Sequence, residues 1–147
     1  MDQCILAMID FSGVTDSVIE TSENLAKALD LEILFLHVGE PDPDFVGYET
    51  GPETVRDSVA HELADEHHTV EQIADRVAAD GIRCRPMMVQ GPTIEVAIEQ
   101  AEKHSVSWIV VGSHGHGALF NLLMGSVSEG ILRRARCPVV VVPSPQK

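Results

Sequence analysis

The chain has 147 residues, 44% of them hydrophobic, and a formal net charge of -13 from 23 acidic and 10 basic residues. That length suits a single domain over residues 1–147 with one sizeable core, and so acidic a surface repels phosphate backbones over long range, which excludes general nucleic-acid binding. No run reaches the roughly 18 apolar residues of a membrane helix, and Met1-Asp2-Gln3-Cys4 lacks the basic start of a signal peptide, so a cytoplasmic protein is expected.

Cys4 to Ile9, CILAMI, is a continuous apolar run of the kind a strand shows when both its faces are covered. Asp10-Phe11-Ser12-Gly13 ends it. From Asp16 to Leu29, Val18, Leu25 and Leu29 recur at helical spacing, with Thr15 or Asp16 as the cap. Leu31 to Val38, LEILFLHV, predicts a second buried strand. Gly39 to Pro52 is a loop rich in proline, glycine and aspartate. From Glu53, apolar residues return every three or four positions as far as Val77, apart from one polar turn, which predicts a long helix ending near Asp80-Gly81. His61, His67 and His68 fall on different faces of it and read as surface residues. Arg83 to Gln90 is a third strand, and its Pro86 points to an edge or strained position.

Gly91-Pro92-Thr93 starts a helix whose inner face is Ile94, Ala97, Ile98 and Ala101. Ser107 to Val111 is a fourth strand, followed by a glycine-rich loop, a helix over about 126–134, and a last strand from Cys137 to Val142. Strands alternating with helices predict a parallel, three-layer α/β sandwich. Right-handed crossovers restrict its topology without fixing the strand order. Cys4, Cys84 and Cys137 form no CxxC pair and lie at or near strand starts, as buried or half-buried thiols do.

The segment that carries chemistry is Val110-Val111-Gly112-Ser113-His114-Gly115-His116-Gly117, closed by Gly125-Ser126-Val127-Ser128. Glycine lets backbone N–H groups approach a ligand closely. The first N–H groups of the helix after Gly125 have no intrahelical partner. With the hydroxyls of Ser126 and Ser128 they form an anion site suited to phosphates. The plainer reading is a strand-loop-helix turn with an ordinary serine cap. His114 and His116 can reach a phosphate; an HxH pair alone is thin support for a metal, and no metal site is assigned. GxxxxGK[ST] is absent, and Lys27, Lys103 and Lys147 lie outside this loop. Arg133, Arg134 and Arg136 suit the negative end of their helix better than phosphates at its start. In an open parallel sheet, ligands bind beyond the carboxyl ends of the strands, where Asp10, Val38, Gly91 and Gly112 fall. Asp10 is a candidate for a base or ribose, or a simple turn residue.

At these positions the sequence resembles the universal stress protein family. Its pattern of glycine, two residues, glycine, nine residues, glycine and serine or threonine is met by Gly112, Gly115, Gly125 and Ser126. Ile5 to Ser12 resembles the family's first strand and Asp-x-Ser turn, and Cys137 to Val142 its closing strand. The resemblance covers essentially the whole chain. It implies a five-stranded parallel sheet in the order 3-2-1-4-5, like that of the adenine nucleotide alpha hydrolases, with a cleft between strands 1 and 4. It also implies ATP binding, with Asp10 and Val38 at the adenine end, Gly112 and Gly115 along the ribose and phosphates, and Gly125, Ser126, Val127 and Ser128 on the phosphates, with a divalent ion such as magnesium or manganese. AMP and ADP stand as alternatives to ATP. Met8, Phe11 and His116 depart from the residues common there; Phe11 packs beside the base or crowds the cleft. The family commonly dimerises through its last strand, which implies a homodimer centred on Val139 to Val142.

Three functions fit: a nucleotide-dependent stress-response or regulatory switch with at most slow hydrolysis and partners the sequence does not name; a non-nucleotide homodimeric interaction module; and a nucleotide-processing enzyme. The first fits best, since no catalytic residues stand out.

Overall fold

A strand covered on both faces must be apolar at every position, and the run after Gln3 meets that demand: Cys4 to Met8 are all buried. In a computed structural model, which describes residues 3–39, 53–114 and 124–144, this run is β1 (Cys4–Met8). It is followed by α1 (Thr15–Leu29), β2 (Glu32–Gly39), α2 (Glu53–Ala79), β3 (Cys84–Gln90), α3 (Thr93–Lys103), β4 (Trp108–Gly112), α4 (Ser126–Arg134) and β5 (Val139–Val142). The sheet order is β3-β2-β1-β4-β5, with every pairing parallel. This is the expected order. Register is fixed on both sides of β1: Ala7 lies beside Phe35 of β2 and Val110 of β4.

Because side chains alternate along a strand, the sheet feeds two cores. Ile5, Ala7, Ile33, Phe35 and Val110 face Val18, Ile19 and Ala26 of α1 and Val70, Ala74 and Val77 of α2. Leu6, Met8, Leu34, Leu36 and Ile109 face Val96 and Ala97 of α3 and Ile131 of α4. The three layers follow from that alternation.

Several local expectations are corrected. Neither Thr15 nor Asp16 caps α1; the N-cap is Val14, with no side-chain cap bond. The Thr15 N–H finds Ser12 O at 3.1 Å, and its hydroxyl donates to Asp10 Oδ1 at 3.3 Å, so Thr15 stands inside the first turn of α1 and is tied back to the strand end. β5 starts at Val139 rather than Cys137. Pro138 has no N–H for a ladder, although its carbonyl accepts from Ile109 N–H at 3.0 Å. β4 runs Trp108–Gly112, the expected run of Ser107 to Val111 shifted by one residue along the chain. Pro86 does lie on an edge strand, β3. α2 ends at Ala79, close to the expected Asp80-Gly81, and Gly81 beyond it has a φ of +85°, which suits glycine.

Candidate functional site

The order of the sheet reverses between β1 and β4, which opens a crevice beyond their carboxyl ends. Two connections border it. The first leaves β1. Asp10 Oδ1 accepts from the Ser12 N–H at 2.9 Å, the Ser12 hydroxyl at 2.6 Å and the Thr15 hydroxyl at 3.3 Å. Asp10 therefore holds the turn together through one oxygen, and the turn-residue reading of it is part of its role. Phe11 takes a φ of 60°, and its ring packs against the core under α1 and α2. There it stacks on His37, with centroids 4.4 Å apart.

His37 is a residue that the sequence reading passed over. It is buried at the carboxyl end of β2. Its Nδ1 lies 2.7 Å from Ile9 O, and a carbonyl only accepts, so Nδ1 carries a proton. Its Nε2 lies 3.0 Å from Glu66 Oε2. Glu66 sits in the polar turn that interrupts the apolar period of α2, and it ties that helix to the sheet beside the crevice. The interruption itself was the signal. Val38 follows His37 and is 8% exposed.

The second connection leaves β4. Gly112 lies against α1: a Cβ there would stand 2.4 Å from Val14 Cγ1, so only glycine lets β4 approach the start of α1 this closely. Ser113 and His114 follow. Gly115 and His116 lie outside the described residues, as does the rest of the loop up to 123. The chain returns at Met124 and Gly125. Gly125 is the N-cap of α4 in extended backbone, and its N–H donates to Ser113 O. The N–H groups of Ser126, Val127 and Ser128 then open the helix with no intrahelical carbonyl to receive them. The helix dipole adds partial positive charge at the same point.

The side chains of that turn divide. Ser126 is exposed, whereas Ser128 is 2% exposed. The Ser128 hydroxyl faces Ser113 O at 2.9 Å and Gly125 O at 3.0 Å, both acceptors, so it braces the turn. At the far end of α4, Arg134 Nη1 reaches Glu95 Oε1 of α3 at 3.1 Å, and Arg133 pairs with Glu129 at 2.9 Å. Both cations stand in the last turn of α4, as the sequence suggested, and they pair with carboxylates of α4 and α3.

The thiols are free, with Cys4 buried and Cys84 and Cys137 half-buried. Burial pushes all three pKa values above the ordinary 9.0, and Glu32 adds to the rise at Cys4 and Cys84. Such thiols are poor nucleophiles. Among the described residues no three acidic, histidine or cysteine side chains are grouped to hold a metal. No helix among them is long and apolar enough to cross a membrane.

The sequence pattern of the Universal stress protein family matches residues 1–143. The chain belongs to this family. It is 30% identical over 145 residues to Universal stress protein MJ0531 of Methanocaldococcus jannaschii, covering 97% of this chain and 83% of that one. The solved structure of protein MJ0577, from the same organism, superposes with a TM-score of 0.83 at 25% identity, covering 100% of this chain and 99% of that chain. A universal stress protein solved in complex with cAMP has the same fold, with a TM-score of 0.72 at 19% identity over 98% of each chain.

Proposed function

We propose that this universal stress protein binds an adenine nucleotide, above all ATP, between the carboxyl ends of β1 and β4, and acts as a nucleotide-dependent regulatory switch. The observation that carries the reading is the start of α4. Three successive N–H groups follow a glycine N-cap, at the point where the sheet order reverses. That arrangement is a ready site for phosphate. Gly125, Ser126, Val127 and Ser128 are assigned to the phosphates, Ser128 through its N–H. Gly112, His114 and Gly115 are assigned to the ribose and phosphates, and Asp10 and Val38 to the adenine end. The cAMP complex of a relative with the same fold adds support for an adenine ligand. ADP and AMP offer the same donors fewer phosphates. A magnesium or manganese ion would arrive on the phosphate oxygens and keep most of its waters. We assign no catalytic residues and infer hydrolysis at most slow. A cytoplasmic location fits this role.

A homodimeric interaction module is the second reading, and one feature favours it. β5 is an edge strand hydrogen-bonded to β4 on one side, with Val139, Val140 and Val141 half-buried. Leu132, 49% exposed, stands on the helix just before it. An apolar edge invites another chain, and we assign a homodimer through β5. A monomer at high micromolar concentration in sedimentation would remove that assignment.

The test of the nucleotide reading is to purify the protein rapidly, denature it and identify any released nucleotide by chromatography. The same sample is then titrated with Mg-ATP. Retained or titrating adenine nucleotide is the expected result. Silence in both arms would leave the interaction module.

A further inference from the structure

Ser113 fits no position of the glycine pattern, yet three segments of the chain converge on it. It is 7% exposed. Its N–H donates to Val142 O of β5 at 2.7 Å. Its carbonyl accepts from the Gly125 N–H and from the Ser128 hydroxyl. Its own hydroxyl accepts from the Ser144 N–H at 3.1 Å and lies 3.1 Å from His114 Nδ1.

The direction of that last bond follows from the donors. A backbone N–H can only donate, so Oγ is an acceptor toward Ser144. The hydroxyl still has one proton to give. A buried donor left without an acceptor is costly, and the acceptor set before it is the Nδ1 lone pair of His114. A neutral imidazole that accepts at Nδ1 carries its proton on Nε2 and donates there.

We propose that Ser113 is a positioning residue for the phosphate subsite: its hydroxyl holds His114 as the Nε2–H tautomer while its carbonyl anchors the first turn of α4. This rests on the nucleotide reading above. The arrangement turns a neutral histidine into a hydrogen-bond donor for an anion, in a chain that has three lysines. It also explains why Ser128 is buried. Its hydroxyl holds the carbonyl of Ser113, and through Val142 and Ser144 the same residue rests on the end of β5.

The test uses the full chain with ¹⁵N-labelled histidine at about pH 8, above the ordinary imidazole pKa of roughly 6.5. The His114 signal is assigned by its loss in His114→Gln. Two-bond ¹⁵N–¹H correlations then read the tautomer in the wild type, Ser113→Ala and Ser113→Thr, each checked for folding by circular dichroism. Mg-ATP affinity is measured on the same proteins. The wild type is expected to show the Nε2–H form. Ser113→Ala is expected to lose that preference and to bind Mg-ATP about tenfold more weakly, the order of one lost charge-assisted hydrogen bond. Ser113→Thr, which keeps the hydroxyl, is expected to restore both. An Nδ1–H wild type, an unchanged tautomer in Ser113→Ala, or a folded Ser113→Thr as impaired as alanine would each overturn the proposal. The tautomer arm needs no ligand. A wild type blind to Mg-ATP would sink the nucleotide reading, and the histidine spectra would still decide the role of Ser113.

Discussion

The connections that leave β1 and β4 border the same crevice and are built in opposite ways. After β1, one carboxylate oxygen gathers three donors within five residues, and the turn is closed by a side chain. After β4, the described ends of the connection meet through backbone: Gly112 lies against Val14, and Ser113 O accepts from the Gly125 N–H and the Ser128 hydroxyl of the returning chain. The first leaves a rigid polar corner. The second leaves the opening N–H groups of α4 at the mouth of the crevice. On the proposed reading, the side-chain corner meets the adenine end of the ligand and the start of α4 meets its phosphates.

The largest expected effect tests the close approach after β4. Gly112→Ala would place a methyl 2.4 Å from Val14 Cγ1, and overpacking of this kind costs about 1–3 kcal/mol. Urea unfolding should show it; an unchanged midpoint would mean that Val14 moves aside freely. Next comes the side-chain corner. Asp10→Ala removes the shared acceptor and should destabilise by roughly 1–3 kcal/mol, whereas Asp10→Asn keeps an oxygen and should lose clearly less. Equal losses would contradict closure by that oxygen. The third pair separates bracing from binding. Ser128→Ala should cost about 1 kcal/mol of stability. Ser126→Ala, at an exposed position, should stay within about 0.5 kcal/mol while weakening Mg-ATP. The reverse pattern would exchange the two roles.

The smallest effect lies at the opposite end of the sheet. Burial, helped by Arg85 and Lys103, holds the His104 pKa below its ordinary 6.5. The folded state then binds fewer protons than the unfolded one between those two values. His104 therefore lowers stability as pH falls from about 6.5 through its folded value, and has no such effect above that range. Thermal melts across acid pH should show a shallower decline in His104→Gln; identical slopes would count against it.

Much of this was legible from residue pattern. β1 and β2 read as buried strands because both faces are covered, and the period of α2 survived its polar turn. The strand order was not, since handedness leaves several orders open; it came with the glycine pattern. The start of α1 was misplaced because a threonine or aspartate near a helix start reads as a cap, and only geometry shows Val14 at the N-cap with the Thr15 hydroxyl donating to Asp10. At the site, the glycines and Ser126 pointed to the anion cradle that is proposed at the start of α4. Ser113 did not, because its partners lie 15 and 31 residues away. His37 was hidden in an apolar run, and its partner Glu66 stands 29 residues along the chain in what read as an interruption.

The central claim is that an adenine nucleotide seats its phosphates on the start of α4. A Mg-ATP titration followed by amide ¹H–¹⁵N spectra tests it most directly. The expected result is saturable shifts concentrated at Gly112, Ser126, Val127 and Ser128, with a second group around Asp10 and Val38. Spectra unmoved by millimolar Mg-ATP, or shifts gathered elsewhere on the sheet, would contradict it.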